Sequence, residues 1–294
     1  MIFEWLRDHF GNTKGKILAL GGGGARGLAH VGVIKALEER GWQPDLITGT
    51  SMGAIIGALY AQTADAAKVE HIMAKVIASD AFKDFGLSHV VSNAQRGSRA
   101  ESDWSTHIRR LHTIAHLSHS QSIFKDNSLL EMMRKTFGNI TFDDLKIPFV
   151  AVATDLHSGE DIELRSGDIA KAVTASSSIP GVFSPVPWGN MLLVDGCVTK
   201  NIPIPEEAET KGWEVLAVSV PRTLHNAGPF YHAVDILARA EMITQYHLNQ
   251  GYLDLAEGVI EPEVNHIHWA DFSKADELVA EGYRAALAWL DRGE

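Results

Sequence analysis

Residues 16–53 read KILALGGGGARGLAHVGVIKALEERGWQPDLITGTSMG, and the order of strand and helix signals within them sets the fold class. Lys16–Leu20 is a short apolar run ending in glycines, the pattern of a buried strand. Leu28, Val31, Ile34 and Leu37 then recur at helical spacing until Gly41 stops the helix. Leu46–Thr48 reads as a second strand, and Ser51–Gln62 as a second helix of small and apolar residues. Strand, helix, strand, helix demands parallel strands joined by a right-handed crossover. If the two strands are neighbours they lie ~4.8 Å apart, and the loops at their C-terminal ends open on one sheet edge.

Outward from this unit the pattern breaks at roughly Ser88–Ser122, a polar stretch with clustered His, Arg and Ser and a weak helix at Trp104–Leu117. It is expected to be an insertion or lid. Asn127 is placed to cap a helix containing Leu129, Leu130, Met133 and Phe137, with Gly138 as its stop. Strands are expected at Phe149–Ala153, Ile162–Leu164, Met191–Val194 and Glu214–Val220, and short ones near Val259 and His266–Trp269. Helices are expected at Asp168–Ala175, about Ala233–Leu255 and Lys274–Leu290. With no internal repeat or low-complexity linker, the expectation is a single unit over 1–294. It has a motif-bearing core over about 14–222, the insertion over about 88–122 and a helical part over 223–294. The fold class is α/β, a parallel-rich α/β/α sandwich.

Composition narrows the function. The 294 residues are 45% hydrophobic and 21% charged, an ordinary folded composition with enough length for a sizeable core. Lys and Arg number 26 against 37 Asp and Glu, so the net charge is 26 − 37 = −11. That balance excludes a general nucleic-acid binder and disfavours electrostatic adhesion to anionic lipid. The one cysteine, Cys197, cannot close an internal disulfide. The opening MIFEWLRDHFGNTKGK lacks the basic and apolar regions of a secretory signal, and the apolar run Ala54–Ala61 is too short to span a bilayer. A cytoplasmic protein is expected; the sequence is silent on oligomeric state.

Two glycine motifs carry the chemistry. Gly22, Gly24 and Gly27 form G-x-G-x-x-G between a strand and a helix. Consecutive glycines let several backbone N–H groups aim at one point beside a helix N-terminus. Such a nest suits a nucleotide phosphate or the oxyanion of a tetrahedral intermediate, and the same glycines also serve tight packing. Gly49-Thr50-Ser51-Met52-Gly53 is G-x-S-x-G in the same context, where a sharp turn pushes a serine hydroxyl out above the sheet edge. A helix-capping serine in a glycine turn has the same local sequence. The pair is more informative, because both loops belong to strands joined by one helix, so the nest would face Ser51 as acyl transfer requires. A dinucleotide site gives Ser51 no task, and its nearest ribose-binding acid, Asp45, precedes the second strand instead of ending it.

A serine nucleophile needs a base. Of 14 histidines, His266 and His268 are the late-chain candidates. Asp195 is another, since it follows the apolar run Leu192-Leu193-Val194 and precedes Gly196; a turn-forming aspartate has the same sequence context.

Gly22-Gly23-Gly24-Ala25-Arg26-Gly27, then Gly49-Thr50-Ser51-Met52-Gly53, then Asp195-Gly196 together resemble the patatin-like phospholipase family. Ala175-Ser176 with Ile179-Pro180-Gly181-Val182-Phe183, Asn201-Ile202-Pro203, Val152-Ala153-Thr154-Asp155 with Gly159-Glu160, and the terminal Glu281-Gly282-Tyr283 extend the likeness. The resemblance covers roughly Lys16–Val220. It implies a Ser-Asp dyad, with Ser51 as nucleophile and Asp195 as general base. It also implies an oxyanion hole from the loop of Gly22, Gly23, Gly24, Ala25, Arg26 and Gly27, with Gly49 and Gly53 shaping the elbow and Gly196 the turn after the base. The reaction it implies is lipid acyl-ester hydrolysis through an acyl-serine, with no cofactor and no metal. A carboxylate at its ordinary pKa of ~3.9 is a poor base, so either burial should raise the pKa of Asp195 or the oxyanion hole should share the burden. The sequence departs from the family at Cys197, where the usual third residue of the Asp-Gly motif is Gly or Ala, and in the Ser88–Ser122 stretch.

His112, His116 and His119, with His107 nearby, could share one helix face, but without cysteine support they are read as a solvated or lid cluster, not as a zinc site. Ile2, Phe3, Trp5, Leu6 and Phe10 form an apolar stripe that suits either docking on the core or peripheral contact with a membrane. Trp104, Leu111, Ile114 and Leu117 could line a lid over an acyl chain. Two rival readings stand: an α/β-hydrolase-type esterase with a Ser-His-Asp triad, and a non-catalytic module that uses the glycine nest for anionic ligands.

Overall fold

The computed structural model describes residues 15–85, 122, 124, 127–205, 212–220, 224 and 233–292. The apolar stripe at residues 2–10, the histidine cluster and nearly all of the 88–122 insertion lie outside these residues. Strands β1 (Lys16–Leu20), β2 (Leu46–Thr50), β3 (Phe149–Asp155), β4 (Asp161–Leu164), β5 (Val186–Trp188), β6 (Met191–Asp195), β7 (Glu214–Val218) and β8 (Gly258–Ile260) form one sheet. Its order is β5-β6-β3-β2-β1-β7-β8, with β4 also pairing β3. The central pairs β3-β2, β2-β1, β1-β7 and β7-β8 are parallel, whereas β4, β5 and β6 join antiparallel. The first two strands are therefore neighbours, which meets the condition for their loops to open on one sheet edge.

The strands alternate between two cores. Leu18, Leu20, Ile47, Phe149, Ala151, Leu216 and Val218 face the larger one. It is covered by α1 (Ala29–Glu39), α2 (Met52–Thr63), α3 (Ala66–Ala78), α4 (Ser128–Phe137), α5 (Ile169–Ser176) and α7 (Ala275–Leu290). Ile17, Ala19, Leu46, Val150, Val215 and Ala217 face the other, where Ile202, Ile204 and the end of α6 (Ala233–Leu253) pack. Period-two alternation with apolar residues on both faces is what a sheet covered on both sides requires.

Most expected elements stand within a residue or two of their places. Asp168 caps α5 by accepting from the Lys171 N–H at 3.2 Å. Asn127 does occupy the N-cap of α4, but its side chain makes no cap hydrogen bond; its backbone is left-handed (φ 65) and its carbonyl accepts from Glu131 N–H. The strand expected at His266–Trp269 is instead a series of turns. The carbonyl of Trp269 does not enter a ladder; it accepts from the Ala25 N–H at 2.6 Å.

Candidate active site

Ser51 sits between β2 and α2 with φ 54 and ψ −122, a backbone conformation that costs an L-residue about 1–3 kcal/mol. The glycines around it make that turn sterically feasible. A Cβ on Gly53 would stand 2.1 Å from the Leu20 carbonyl oxygen, and one on Gly49 would stand 2.6 Å from Ala54 Cα. The C-terminal end of α5 and the residue after it hold the turn in place. The Ser51 N–H donates to Ser176 O and Ser176 Oγ, both at 3.1 Å, and Ser177 Oγ donates to the Ser51 carbonyl at 3.2 Å.

Register places Asp195 opposite this turn. On β3, Ala151 and Val152 pair with both β2 and β4, so β2 and β4 lie on opposite edges. Ala153 and Thr154 pair with both β4 and β6, so β6 lies on the β2 edge. β2 ends at Thr50 opposite Val152, and β6, running the other way, ends at Asp195 opposite Ala153. The two strands thus meet end to end along one edge of β3, and each turns away where it meets the other. Gly196 marks the junction: a Cβ there would lie 2.4 Å from the Val152 carbonyl and 3.1 Å from Thr50 Cγ2. Asp195 is fully buried; its Oδ1 accepts from the Cys197 N–H at 2.9 Å and its own N–H donates to Ser178 O at 2.9 Å. The Ser176-Ser177-Ser178 segment therefore ties both candidate residues, a role the sequence showed only as a family likeness at Ser176.

Asp155 anchors β6 from its other end. Its carboxylate accepts from the N–H groups of Leu192, His157 and Ser158 and from Ser158 Oγ. These donors, Leu192 foremost, hold its pKa below the usual carboxylate value. The Val152–Asp155 likeness thus has a local physical content: it fixes the strand that carries Asp195.

The glycine loop approaches Ser51 closely. A Cβ on Gly22 would lie 3.1 Å from Ser51 Cβ and 2.6 Å from Asn201 Oδ1. The N–H groups of Gly21, Gly22 and Ala25 donate to Val218 O, Asn201 O and Trp269 O. Among the described residues no acceptor takes the N–H of Gly23 or Gly24, and Gly24 has φ +59. Gly27 sits in the 3-10 turn Gly24–Leu28, against Met52, where a Cβ would meet Met52 Cγ at 2.6 Å.

One cavity joins these parts. Gly22, Gly23, Gly24, Arg26, Ser51 and Asp195 line it, whereas Ala25 and Gly27 do not. Cys197, Asn201 and Trp269 complete this side, and α6 supplies the opposite wall through Met242, Gln245, Tyr246 and Asn249. Sequence reasoning placed the helix but not this role. Among the described residues no histidine lines the cavity. The His266 side chain is 63% exposed and pairs with Glu277 at 3.0 Å; His268 Nδ1 accepts from the Ala270 N–H. No group of three or more metal-ligating side chains occurs among the described residues, and none of their helices is long and apolar enough to cross a membrane.

His30, on α1, supports the loop from below. It is fully buried, and Nε2–H donates to the Gly21 carbonyl at 2.7 Å, while Nδ1 has no partner among the described residues. Burial lowers its pKa from 6.5 to about 4, partly opposed by the Gly21 bond. Between pH 6.5 and 4 the unfolded chain therefore takes up a proton at this residue that the folded chain refuses. The resulting stability is fully present above pH 6.5 and is lost as pH falls toward 4, about 3 kcal/mol in all. Denaturant unfolding of wild type and His30→Gln across this window is expected to show the slope in wild type and its flattening in the variant.

The family model "Patatin-like phospholipase" matches residues 18–208. An uncharacterized NTE family protein of Mycobacterium tuberculosis is 30% identical over 95% of this chain and 47% of its own length. Lysophospholipase NTE1 of Debaryomyces hansenii is 28% identical over 93% of this chain and 17% of its own. The chain thus spans about half the length, or less, of these relatives. The solved structure of VipD from Legionella pneumophila superposes with a TM-score of 0.49 at 14% identity, covering 95% of this chain and 67% of that one.

Proposed function

The chain belongs to the patatin-like phospholipase family, and from that premise we propose that it hydrolyses lipid acyl esters with Ser51 as nucleophile and Asp195 as general base. The observation that carries the proposal is the end-to-end meeting of β2 and β6, which puts Ser51 and Asp195 into one cavity beside the glycine loop. Ser51 Oγ attacks the acyl carbonyl carbon as Asp195 takes its proton. The carbonyl becomes an oxyanion, stabilised by the N–H groups of Gly23 and Gly24. On collapse the ester C–O bond breaks, the proton passes to the leaving alcohol oxygen, and an acyl-serine remains. Water attacks that ester with Asp195 again as the proton acceptor, releasing the fatty acid and regenerating Ser51.

The relative named a lysophospholipase points to single-chain phospholipids as the first substrate to try. Fatty acid release from lysophosphatidylcholine and from phosphatidylcholine is expected in wild type and absent in Ser51→Ala. Folded wild type that releases fatty acid from neither lipid nor from a short-chain ester would overturn the proposal. No observation favours a histidine triad over the dyad. A non-catalytic module would leave both lipids intact while still binding anions at the loop.

A further inference from the structure

Helix α6 presents two contrasting faces. The inner one walls the cavity through Met242, Gln245, Tyr246, Asn249 and Leu253. On the opposite side Ile236, Leu237, Ile243 and Leu248 are 56%, 68%, 38% and 39% exposed. Ala240, Thr244, His247 and Gly251 fill the same side and are also exposed. The spacing i, i+1, i+4, i+7, i+8, i+11, i+12, i+15 is that of one helical stripe, ~22 Å long at 1.5 Å per residue. No Asp, Glu, Lys or Arg lies within it, and the exposed Glu241 borders it beside Leu237 and Leu248. Of the six large hydrophobic residues exposed among the described residues, four lie here, and a fifth, Val198, follows the cavity-lining Cys197. Scattered exposed leucines need no explanation; a continuous uncharged stripe does.

The stripe borders the mouth of the cavity. Gln250 is both exposed and cavity-lining, so the cavity meets the outside there. His247 and Ile243 stand one and two turns before it on the same edge of the helix. We propose that the outer face of α6 is the surface on which this protein docks to a zwitterionic lipid interface, with the cavity mouth held at that interface. A helix with an apolar face lies in the interface plane, and a mouth on its edge then opens where acyl chains are presented. Charge argues for the type of lipid. The stripe carries no cation and the chain has a net charge of −11, so anionic headgroups offer it no attraction. A second copy seated on the stripe would cover the rim at Gln250 and obstruct the mouth. The docking deepens the hydrolase reading and rests on it for the substrate, but binding itself is measured without catalysis.

The test is sedimentation of the full chain with phosphatidylcholine vesicles in a Ser51→Ala background. That protein is expected to bind, and adding Ile236→Asp, Leu237→Asp and Leu248→Asp together is expected to weaken binding by about tenfold or more. Phosphatidylserine vesicles should bind no better. In the Ser51 background the same three substitutions should spare hydrolysis of a water-soluble short-chain ester and depress hydrolysis of vesicle lipid. Vesicle binding that is absent at the start, or unchanged by the substitutions, overturns the docking proposal. So does a dimer-to-monomer change in size without a change in vesicle binding, which assigns the stripe to a second copy. Loss of short-chain ester hydrolysis in unsubstituted protein would instead strike the catalytic reading and leave the docking result intact.

Discussion

Ser51→Ala and Asp195→Asn are each expected to lower ester hydrolysis by about 10⁴-fold or more, with the fold preserved. The magnitude follows from the division of labour. Under the proposed mechanism, removing the nucleophile leaves only binding and the oxyanion hole. Replacing the base by its amide keeps the size and the Cys197 contact but takes away the proton acceptor. In the proposed dyad both residues serve one step, so the two losses should not add. Stability offers an independent check on the elbow. With φ 54 at Ser51, glycine fits the turn better than any L-residue, so Ser51→Gly should be inactive yet more stable than Ser51→Ala by about 1–2 kcal/mol. Thermal unfolding of the two inactive variants reads this directly; a less stable glycine variant would contradict a strained elbow.

The second large effect concerns the scaffold. Gly32 on α1 and Gly282 on α7 let the two helices touch backbone to backbone. A Cβ on Gly32 would stand 1.9 Å from the Val279 carbonyl oxygen, and one on Gly282 would stand 1.9 Å from the Ala29 carbonyl oxygen. No flexible side chain can give way at either point, so the helices must separate. Gly32→Ala and Gly282→Ala are each expected to cost about 3 kcal/mol, at the upper end for overpacking, and to lower Tm by roughly 6–12 °C. The glycine loop leads into α1, so activity should fall as well. Gly251→Ala is the control: nothing lies within 4 Å of its added Cβ, and a helical Gly→Ala change there should be neutral or mildly stabilising. Equal melting temperatures for all three variants would mean that the helices do not meet as closely as described.

What was legible in the sequence was local. The first strand, the glycine loop, the crossover helix and the elbow lie within 38 consecutive residues, and at Gly24, Gly49 and Gly53 an added Cβ would collide with backbone. Asp195 could be read as a carboxylate after an apolar run, but its place opposite Ser51 depends on the register of β3 with β2, β4 and β6. Such long-range pairing leaves no local trace. β5 escaped the reading because Pro187 sits in its middle, a residue that suits only an edge strand, and β5 is indeed at the end of the sheet order. α3, absent from the expected elements, is nonetheless marked by Asp65 and the spacing of Val69, Ile72, Met73 and Val76. The turns at His266–Trp269 look like a strand in composition, yet their carbonyl at Trp269 serves the glycine loop. His30 is one more residue on an apolar helix face until the structure aims Nε2 at Gly21. α6 conceals its cavity role for a different reason: apolar residues occur on both its faces, so periodicity alone cannot say which is buried.

The proposed activation of Ser51 by Asp195 across the junction of β2 and β6 is read by labelling with a fluorophosphonate probe, followed by mapping of the modified peptide. Wild type is expected to be labelled at Ser51, Ser51→Ala not at all, and Asp195→Asn more slowly by about 10²-fold or more. Labelling of folded wild type at another residue, or at an unchanged rate in Asp195→Asn, would contradict it.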